Sequence, residues 1–126
     1  MIWEERGPNN IGGRTRALIY DKNIPNKLFM GGSSGGLWTS TNNGNTWSKV
    51  ENTDMTSAIS ICSITQAANG DIYYGTGEGH YSSTGNFGGG QLGEGIWKST
   101  DGGVSFTHLN STTPSNANHH LMCGLL

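Results

Sequence analysis

The chain has 126 residues, a formal net charge of −2, 33% hydrophobic and 13% charged residues, and 21 glycines. The small negative charge gives no electrostatic footprint for nucleic acid, and no run of residues has the length and apolarity of a membrane-spanning helix. The glycine content and the lack of helical periodicity favour a turn-rich, all-β protein.

Four short strands are predicted in residues 14–50. They lie near residues 15–20, 27–32, 36–41 and 46–50. The third and fourth strands are joined by the phrase S-T-N-N-G-N-T-W, which runs from Ser40 to Trp47. Asn42 can accept hydrogen bonds from turn amides, and Gly44 supplies the positive φ at which the chain reverses. Trp47 then packs back under the hairpin.

The same arrangement returns in residues 58–110. The phrase S-T-D-G-G-V-S-F begins at Ser99, and each of its positions lies 59 residues after its counterpart. Asp101, Gly103 and Phe106 take the roles of acceptor, reversal point and packing aromatic. The strands of this unit are predicted near residues 60–65, 71–75, 95–100 and 105–109. Self-similarity at a fixed period predicts a repeat architecture.

An insertion distinguishes the second unit from the first. The offset between units is 44 residues for the first two strands and 59 for the last two, so 15 extra residues fall within residues 76–95. In a four-stranded antiparallel meander, this connection lies at the end opposite the repeated phrase. Insertions on repeat scaffolds form binding faces. The candidate ligand-binding residues on this face are Arg14, Glu78, His80, Tyr81 and Phe87.

Two interpretations of these candidates remain open. In the first, Tyr81 and Phe87 stack on a ligand while Arg14 and Glu78 hold its polar groups. In the second, the insert is a glycine-rich loop whose Glu and His side chains are solvated, and Arg14 and Arg16 pair with carboxylates of the sheets. No metal site is expected, because the loops that carry the histidines would have to converge, and no cofactor is expected either.

The repeated phrase matches the S-x-D-x-G-x-x-W/F pattern of Asp-box, or BNR, repeats. The copy with Asp101 fits fully, while the first copy has Asn42 at the acidic position. With the opening G-P-N-N-I-G-G-R-T-R-A-L, the chain resembles the sortilin-N-terminal-like β-propellers of secreted Bacteroidota proteins with type IX secretion tails. The resemblance implies a β-propeller fragment in residues 1–126, with about two four-stranded antiparallel blades and a partial blade at each end. Residues 1–6 would close the last blade, and residues 119–126 would start a third.

The resemblance further implies a secreted or cell-surface module that binds or scaffolds, with a glycan or peptide ligand and the remaining blades of the same chain as partners. One alternative is a sialidase-like or xyloglucanase-like glycoside hydrolase whose catalytic residues lie mostly outside this chain, and another is a sortilin-like peptide receptor. The binding interpretation is preferred, because no catalytic set can be identified in the chain. The residues expected to be structural are Ser40, Asn42, Gly44, Trp47, Ser99, Asp101, Gly103 and Phe106.

Overall fold

The computed structural model describes residues 13–51, 53, 59–78, 91 and 93–113. These residues form two four-stranded antiparallel sheets and one 3₁₀ turn, Asn110–Thr112. The expected all-β architecture is therefore confirmed for this part of the chain. The predicted closing strand in residues 1–6 and the third unit in residues 119–126 lie outside the described residues.

Both sheets are meanders in which each strand pairs with the next one along the chain. Sheet one contains β1 (Thr15–Tyr20), β2 (Leu28–Gly32), β3 (Gly36–Ser40) and β4 (Ser48–Lys49). Sheet two contains β5 (Ile61–Gln66), β6 (Ile72–Thr76), β7 (Ile96–Ser99) and β8 (Thr107–His108). The fourth strands are shorter than predicted, because the turn that precedes each of them takes up several residues before pairing begins.

The registers of the two sheets repeat, with one departure from the prediction. The β3–β4 and β7–β8 pairs have the same register at the offset of 59 residues. The first strands are offset by 46 residues, not 44, because Tyr20 ends β1 and Gln66 ends β5. The cause is the turn that follows, which spans residues 21–27 in sheet one and only residues 67–71 in sheet two. A difference of two residues keeps the same side chains on the same face of the sheet.

The two sheets pack face to face around one hydrophobic core, with β1 and β2 lying against β5. Gly31 permits their close approach, because a Cβ atom at this position would stand 2.5 Å from Cγ2 of Ile61. Apolar burial of this kind is the main source of stability in a small β protein. The core comprises Phe29, Leu37, Val50, Ile61, Ile64, Ile72 and Tyr74.

The connections lie at two opposite ends of the sheets, as expected for meanders. The box end holds the two repeated phrases, in the β3–β4 and β7–β8 turns, together with the β1–β2 and β5–β6 turns. The insert end holds the β2–β3 and β6–β7 connections and the points where the chain enters β1 and β5. The candidate ligand-binding residues all belong to the insert end by their positions in the sequence.

Candidate functional site

The Asp-box turn of sheet one is closed by side-chain hydrogen bonds. Ser40, which is buried, accepts a hydrogen bond from the Gly44 amide at 2.9 Å. The Asn42 side chain accepts one from the Thr46 amide at 2.9 Å. Gly44 has a φ of 85°, which a glycine adopts without strain, and its carbonyl accepts the Trp47 indole N–H at 3.1 Å. The turn is thus a folding device built from neighbouring residues.

The Asp-box turn of sheet two repeats this device with a charged acceptor. Asp101 accepts hydrogen bonds from the Ser105 hydroxyl at 2.5 Å and from the Ser105 amide at 3.0 Å. These bonds, followed by the one from Ser99, lower the pKa of Asp101 below its ordinary value of 3.8. Phe106 packs edge-on against Tyr74, with ring centroids 5.0 Å apart. In the first copy, Asn42 Oδ1 likewise accepts the amide four residues on, but its Nδ2 donates to the Thr46 hydroxyl at 2.8 Å, the reverse of the Asp101 contact with Ser105.

The second box also contacts sheet one. Gly103 has a φ of 84° and lies against the Phe29 ring, since a Cβ atom here would stand 2.3 Å from Cζ of Phe29. Lys27 donates from Nζ to the Gly102 carbonyl at 2.7 Å, and this ammonium lies 5.1 Å from the centroid of the Phe29 ring. The glycine at this position therefore serves both the turn and the packing of the two sheets.

The insert is anchored where it leaves and rejoins sheet two. Thr76 Oγ1 donates to the Gly95 carbonyl at 2.9 Å and accepts the Glu94 amide at 2.8 Å. Gly93 lies against the same strand, because a Cβ atom there would stand 2.4 Å from the Thr76 carbonyl oxygen. One step further out, the Glu78 amide donates to the Gln91 carbonyl at 2.9 Å. The described ends of the insert are thus fixed to the frame of the sheet.

A buried ionic cluster joins this anchor to sheet one. The Glu78 side chain is 6% exposed, and its Oε1 accepts hydrogen bonds from Arg14 Nη2 and, at 2.6 Å, from Arg16 Nη1. Its Oε2 accepts the Ser33 hydroxyl at 2.9 Å. Arg14 also donates to Ser33 Oγ at 3.0 Å, and its side chain remains 60% exposed. In these contacts, two guanidinium groups thus share one carboxylate.

The environment of Glu78 favours its ionised form. The hydrogen bond from Ser33 lowers the pKa of this carboxyl group most, burial acts in the opposite direction, and the charges of Arg14 and Arg16 lower the pKa further. The result lies below the ordinary value of 4.5. Glu78 is therefore a fixed anion at neutral pH, held as a hydrogen-bond acceptor between the two sheets.

The predicted site residues divide into two groups. The structure brings Arg14 and Glu78 together, so the partner of Arg14 belongs to the insert and not to the sheets, and Glu78 is buried and not solvated. His80, Tyr81 and Phe87 lie outside the described residues. The part played by Ser33 was missed, because nothing in its local sequence marks a residue whose partners lie 19 and 45 positions away.

A second feature that the sequence did not reveal lies beside the start of β7. Trp38 donates its indole N–H to the Gly35 carbonyl at 2.8 Å. The equivalent carbonyl in sheet two, that of Glu94, is instead 2.6 Å from Nε2 of His108, and the buried N–H of Trp97 has no hydrogen-bond partner among the described residues. The Trp97 ring stacks on Tyr74 at 6.0 Å and contacts the His108 ring at 5.1 Å. Through His108, this aromatic cluster contacts Glu94, at the point where the chain returns to sheet two.

An open groove of about 360 Å³ lies at the box end, away from the predicted ligand-binding face. It runs between the outer strands of sheet one and the second Asp box, and it is produced by the packing of the two sheets. No local sequence pattern predicts it. The groove is lined by Lys27, Thr39, Thr41, Lys49, Val50, Glu51, Gly103 and Val104.

Three further findings concern metal sites, membrane helices and similarity to known proteins. Within the described ranges, no group of three or more His, Cys, Asp or Glu side chains is arranged to hold a metal ion. Nor does any helix in this part of the chain have the length and apolarity needed to cross a membrane. No protein-family model matches the chain, and a search of curated proteins finds none that is significantly similar to it.

Proposed function

We propose that the two sheets are consecutive blades of an Asp-box β-propeller, and that this propeller is a secreted or cell-surface module that binds a glycan or a peptide. The proposal makes the insert end the ligand-binding face and leaves the Asp boxes as folding devices. It rests on the resemblance of the repeated phrase to BNR repeats and on the geometry of the described residues.

The repetition of the sheets supports the propeller interpretation. Both sheets are four-stranded meanders with an Asp box in the last turn, and they have the same register in their outer strand pairs. They also pack face to face, with glycines at two points of close approach, Gly31 and Gly103. Blades of a propeller are successive four-stranded sheets of this kind, arranged around a central axis.

The anchoring of the insert is the observation that carries the binding proposal. An insertion that the repeat does not require leaves sheet two at Thr76 and returns at Gly95, and Glu78 ties its base to Arg14 and Arg16 of the other sheet. Loops fixed to a rigid scaffold commonly form binding faces, and in this proposal Tyr81 and Phe87 of the insert supply the contacts to the ligand. The exposed guanidinium of Arg14 adds a positive charge at the rim of that face.

Four carboxylates of the described residues have lowered pKa values, so none of these four fits the acid role of a glycoside hydrolase. A hydrolase needs one carboxylic acid whose pKa is raised, so that it remains protonated until it donates to the leaving group. Glu78 and Asp101 have lowered pKa values for the reasons given above. Hydrogen bonding to Lys98 at 2.7 Å lowers the pKa of Asp71. Burial acts to raise the pKa of Asp21, but hydrogen bonds led by that from the Asn23 amide more than offset it.

The test is to exchange the insert and measure ligand binding. Residues 79–90 are replaced by the dipeptide Asn-Gly, which closes a two-residue hairpin between Glu78 and Gln91, the pair already joined by an antiparallel bridge. The parent and the exchanged protein are then compared on an array of neutral and acidic glycans and against a displayed peptide library. The expected result is that the parent binds a ligand that the exchanged protein does not bind, while the two proteins have the same melting temperature.

The matched control is Asp101→Asn, which changes the box end and should leave binding intact. A ligand that survives the exchange would place the binding site elsewhere and contradict the proposal. Release of reducing sugar from the array by the parent would instead favour the hydrolase, because binding alone breaks no glycosidic bond.

A further inference from the structure

The carbonyl oxygen of Glu94 lies beside two hydrogen-bond donors of sheet two. Glu94 precedes β7, at the point where the insert rejoins the sheet, and Nε2 of His108 lies 2.6 Å from its carbonyl oxygen. The indole N–H of Trp97 is buried and has no hydrogen-bond partner among the described residues. The rings of His108 and Trp97 are neighbours, with centroids 5.1 Å apart. One of two adjacent donors is therefore paired, and the other is not.

Sheet one shows the same position with the other donor bound. The equivalent indole, that of Trp38, donates to the equivalent carbonyl, that of Gly35, at 2.8 Å. The residue that pairs with Trp38 across the outer strands is Lys49, and His108 takes this place in sheet two. The repeat therefore favours a bond from tryptophan to this carbonyl, and a histidine on β8 distinguishes the sheet in which the bond is missing.

The ring of His108 is placed to donate from both of its nitrogens. Nε2 lies beside the Glu94 carbonyl, and Nδ1 lies 3.2 Å from Oδ1 of Asn110. Both neighbours are oxygen atoms, and an imidazole ring donates from both nitrogens only when it is protonated. A neutral ring has one N–H, so it can donate to one of these oxygens and not to both. The observed arrangement is therefore the one that a protonated histidine favours.

The charge of the ring decides which donor binds the carbonyl more strongly. A buried N–H without an acceptor costs more than an ordinary neutral hydrogen bond contributes, so a neutral histidine competes poorly with the tryptophan. A hydrogen bond from a charged donor is about twice as strong as a neutral one, so protonation reverses the preference. His108 is half-buried, so a ring nitrogen released from the carbonyl can bind water. Histidine ordinarily changes charge between about pH 5 and 8.

The other titratable groups around this ring act outside that range or are already paired. In the described part of the chain, they are Glu94, Tyr74, Lys98 and Asp71. Carboxyl groups ordinarily titrate in more acid solution. Burial raises the pKa of Tyr74 above its ordinary value of 10.0, so this hydroxyl keeps its proton. Lys98 binds Asp71 at 2.7 Å on the opposite face of β7 from Trp97, because successive side chains of a strand alternate.

We propose that His108 is a pH-dependent switch that determines which donor binds the Glu94 carbonyl. In acid, the protonated ring binds the carbonyl and leaves the Trp97 N–H unpaired, which is the arrangement observed. At neutral pH and above, the ring donates from Nδ1 to Asn110, and Trp97 binds the carbonyl as Trp38 does in sheet one. The end of the insert is thus bound to β8 in acid and to β7 in neutral solution. The switch needs no ligand and is independent of the ligand-binding function proposed above.

The experiment is NMR of the ¹⁵N-labelled 126-residue chain between about pH 5 and 8. The indole N–H signal of Trp97 is identified by its loss in Trp97→Phe, and the signal of Trp38 is the internal reference. From pH 8 to pH 5, the Trp97 signal should move away from the position of a hydrogen-bonded indole. Its hydrogen should exchange with solvent about tenfold faster relative to that of Trp38. The ring of His108 should carry its N–H on Nδ1 at pH 8 and be protonated on both nitrogens at pH 5.

Two variants test whether His108 is the group that titrates. His108→Gln keeps a donor for the carbonyl but cannot be protonated, so the Trp97 signal should no longer depend on pH. The matched control is Lys49→Gln, at the equivalent position of sheet one, which should leave the response of Trp97 unchanged. Asn110→Asp places a carboxylate beside Nδ1 at an exposed position. This carboxylate favours the protonated ring, so it should raise the midpoint of the response by about 0.5–1 pH unit.

Three outcomes would overturn the proposal. A Trp97 signal with the same position and relative exchange rate from pH 5 to 8 would mean that the two donors do not change places. A neutral ring with its N–H on Nε2 would mean that His108 binds the carbonyl whatever its charge. A response that survives His108→Gln would assign the titration to another group, such as Glu94. Each of these outcomes would leave the ligand-binding proposal to its own test by insert exchange.

Discussion

The two ends of the sheets are held together by interactions of different range. At the box end, Ser40 and Ser99 each bind an amide four residues further along the chain. At the insert end, Glu78 binds Arg14 and Arg16 across 64 and 62 residues. The Asp-box turns are therefore closed by residues of their own phrase, whereas the Glu78 cluster depends on the packing of one sheet against the other.

The difference explains why the Asp-box turn occurs in both sheets, whereas the Glu78 cluster occurs once among the described residues. A turn whose hydrogen bonds stay within one phrase can be repeated wherever the phrase occurs, and both copies make the same hydrogen bonds to amides four residues further along the chain. The Glu78 cluster needs residues from three separate segments, namely the start of β1, the β2–β3 connection and the base of the insert, and it occurs once in the described part of the chain. Hydrogen bonds within the turn determine the shape of each repeat, and contacts between the sheets make one repeat differ from another.

The largest effect is expected from Gly103→Ala, the point where the box end makes its own long-range contact. The new Cβ atom would stand 2.3 Å from Cζ of Phe29, and the residue would be held at a φ of 84°. Overpacking and left-handed strain together should lower the free energy of unfolding by about 2–5 kcal/mol. Urea denaturation followed by tryptophan fluorescence measures the loss.

Gly102→Ala separates these two contributions. Its φ of 72° imposes similar strain, but its Cβ atom would meet Cδ1 of Ile24 at 3.6 Å, an ordinary contact. This variant should lose only about 1–2 kcal/mol, the cost of the left-handed conformation. Equal losses in the two variants would mean that Gly103 matters for the turn alone and not for the packing of the sheets.

A smaller effect is expected at the insert end from Glu78→Gln. The amide keeps the shape of the side chain but removes the charge that balances Arg14 and Arg16. The arginines are partly exposed, so losing the ion pairs and one acceptor oxygen should lower the melting temperature by only about 3–5 °C. Differential scanning calorimetry at neutral pH provides the measurement.

The control for this variant is Glu51→Gln, which makes the same chemical change at an exposed position. It should shift the melting temperature by no more than about 1 °C, as most surface substitutions do. If the two variants melted together, the cluster would contribute no net stability, and the insert would be held by the Thr76 and Gly95 hydrogen bonds alone.

The sequence separation of the interacting residues also determines how much of the structure could be predicted from the sequence. The eight strands and both Asp boxes were predictable, because Asn42 and Asp101 act on amides in their own turns. The offset of β5 was misplaced by two residues, since it depends on a turn that is shorter in sheet two and carries no distinctive pattern. The sequence placed Arg14 and Glu78 at the same end of the sheets, but it did not predict the ion pair between them. The role of Ser33 was not foreseen, because a lone serine in a turn gives no sign of a distant partner.

The smallest expected effect concerns acid, and it compares the two boxes directly. The folded-state pKa of Asp101 lies below its ordinary value of 3.8, so the stability it contributes is complete above that value. As the pH falls through 3.8 and below, the unfolded chain takes up the proton first and the contribution is lost. Asp101→Asn removes this titration, so urea midpoints measured from pH 7 down to pH 3 should fall less steeply than in the parent. Some loss remains, because Glu78 also has a lowered pKa.

The reciprocal variant, Asn42→Asp, installs a carboxylate that accepts from the Thr46 amide, and it should make the loss of stability in acid steeper. If neither variant changed the dependence of the urea midpoint on pH, the box carboxylate would have the same pKa in the folded and unfolded chain. The asparagine of the first box would then stabilise its turn as well as an aspartate does.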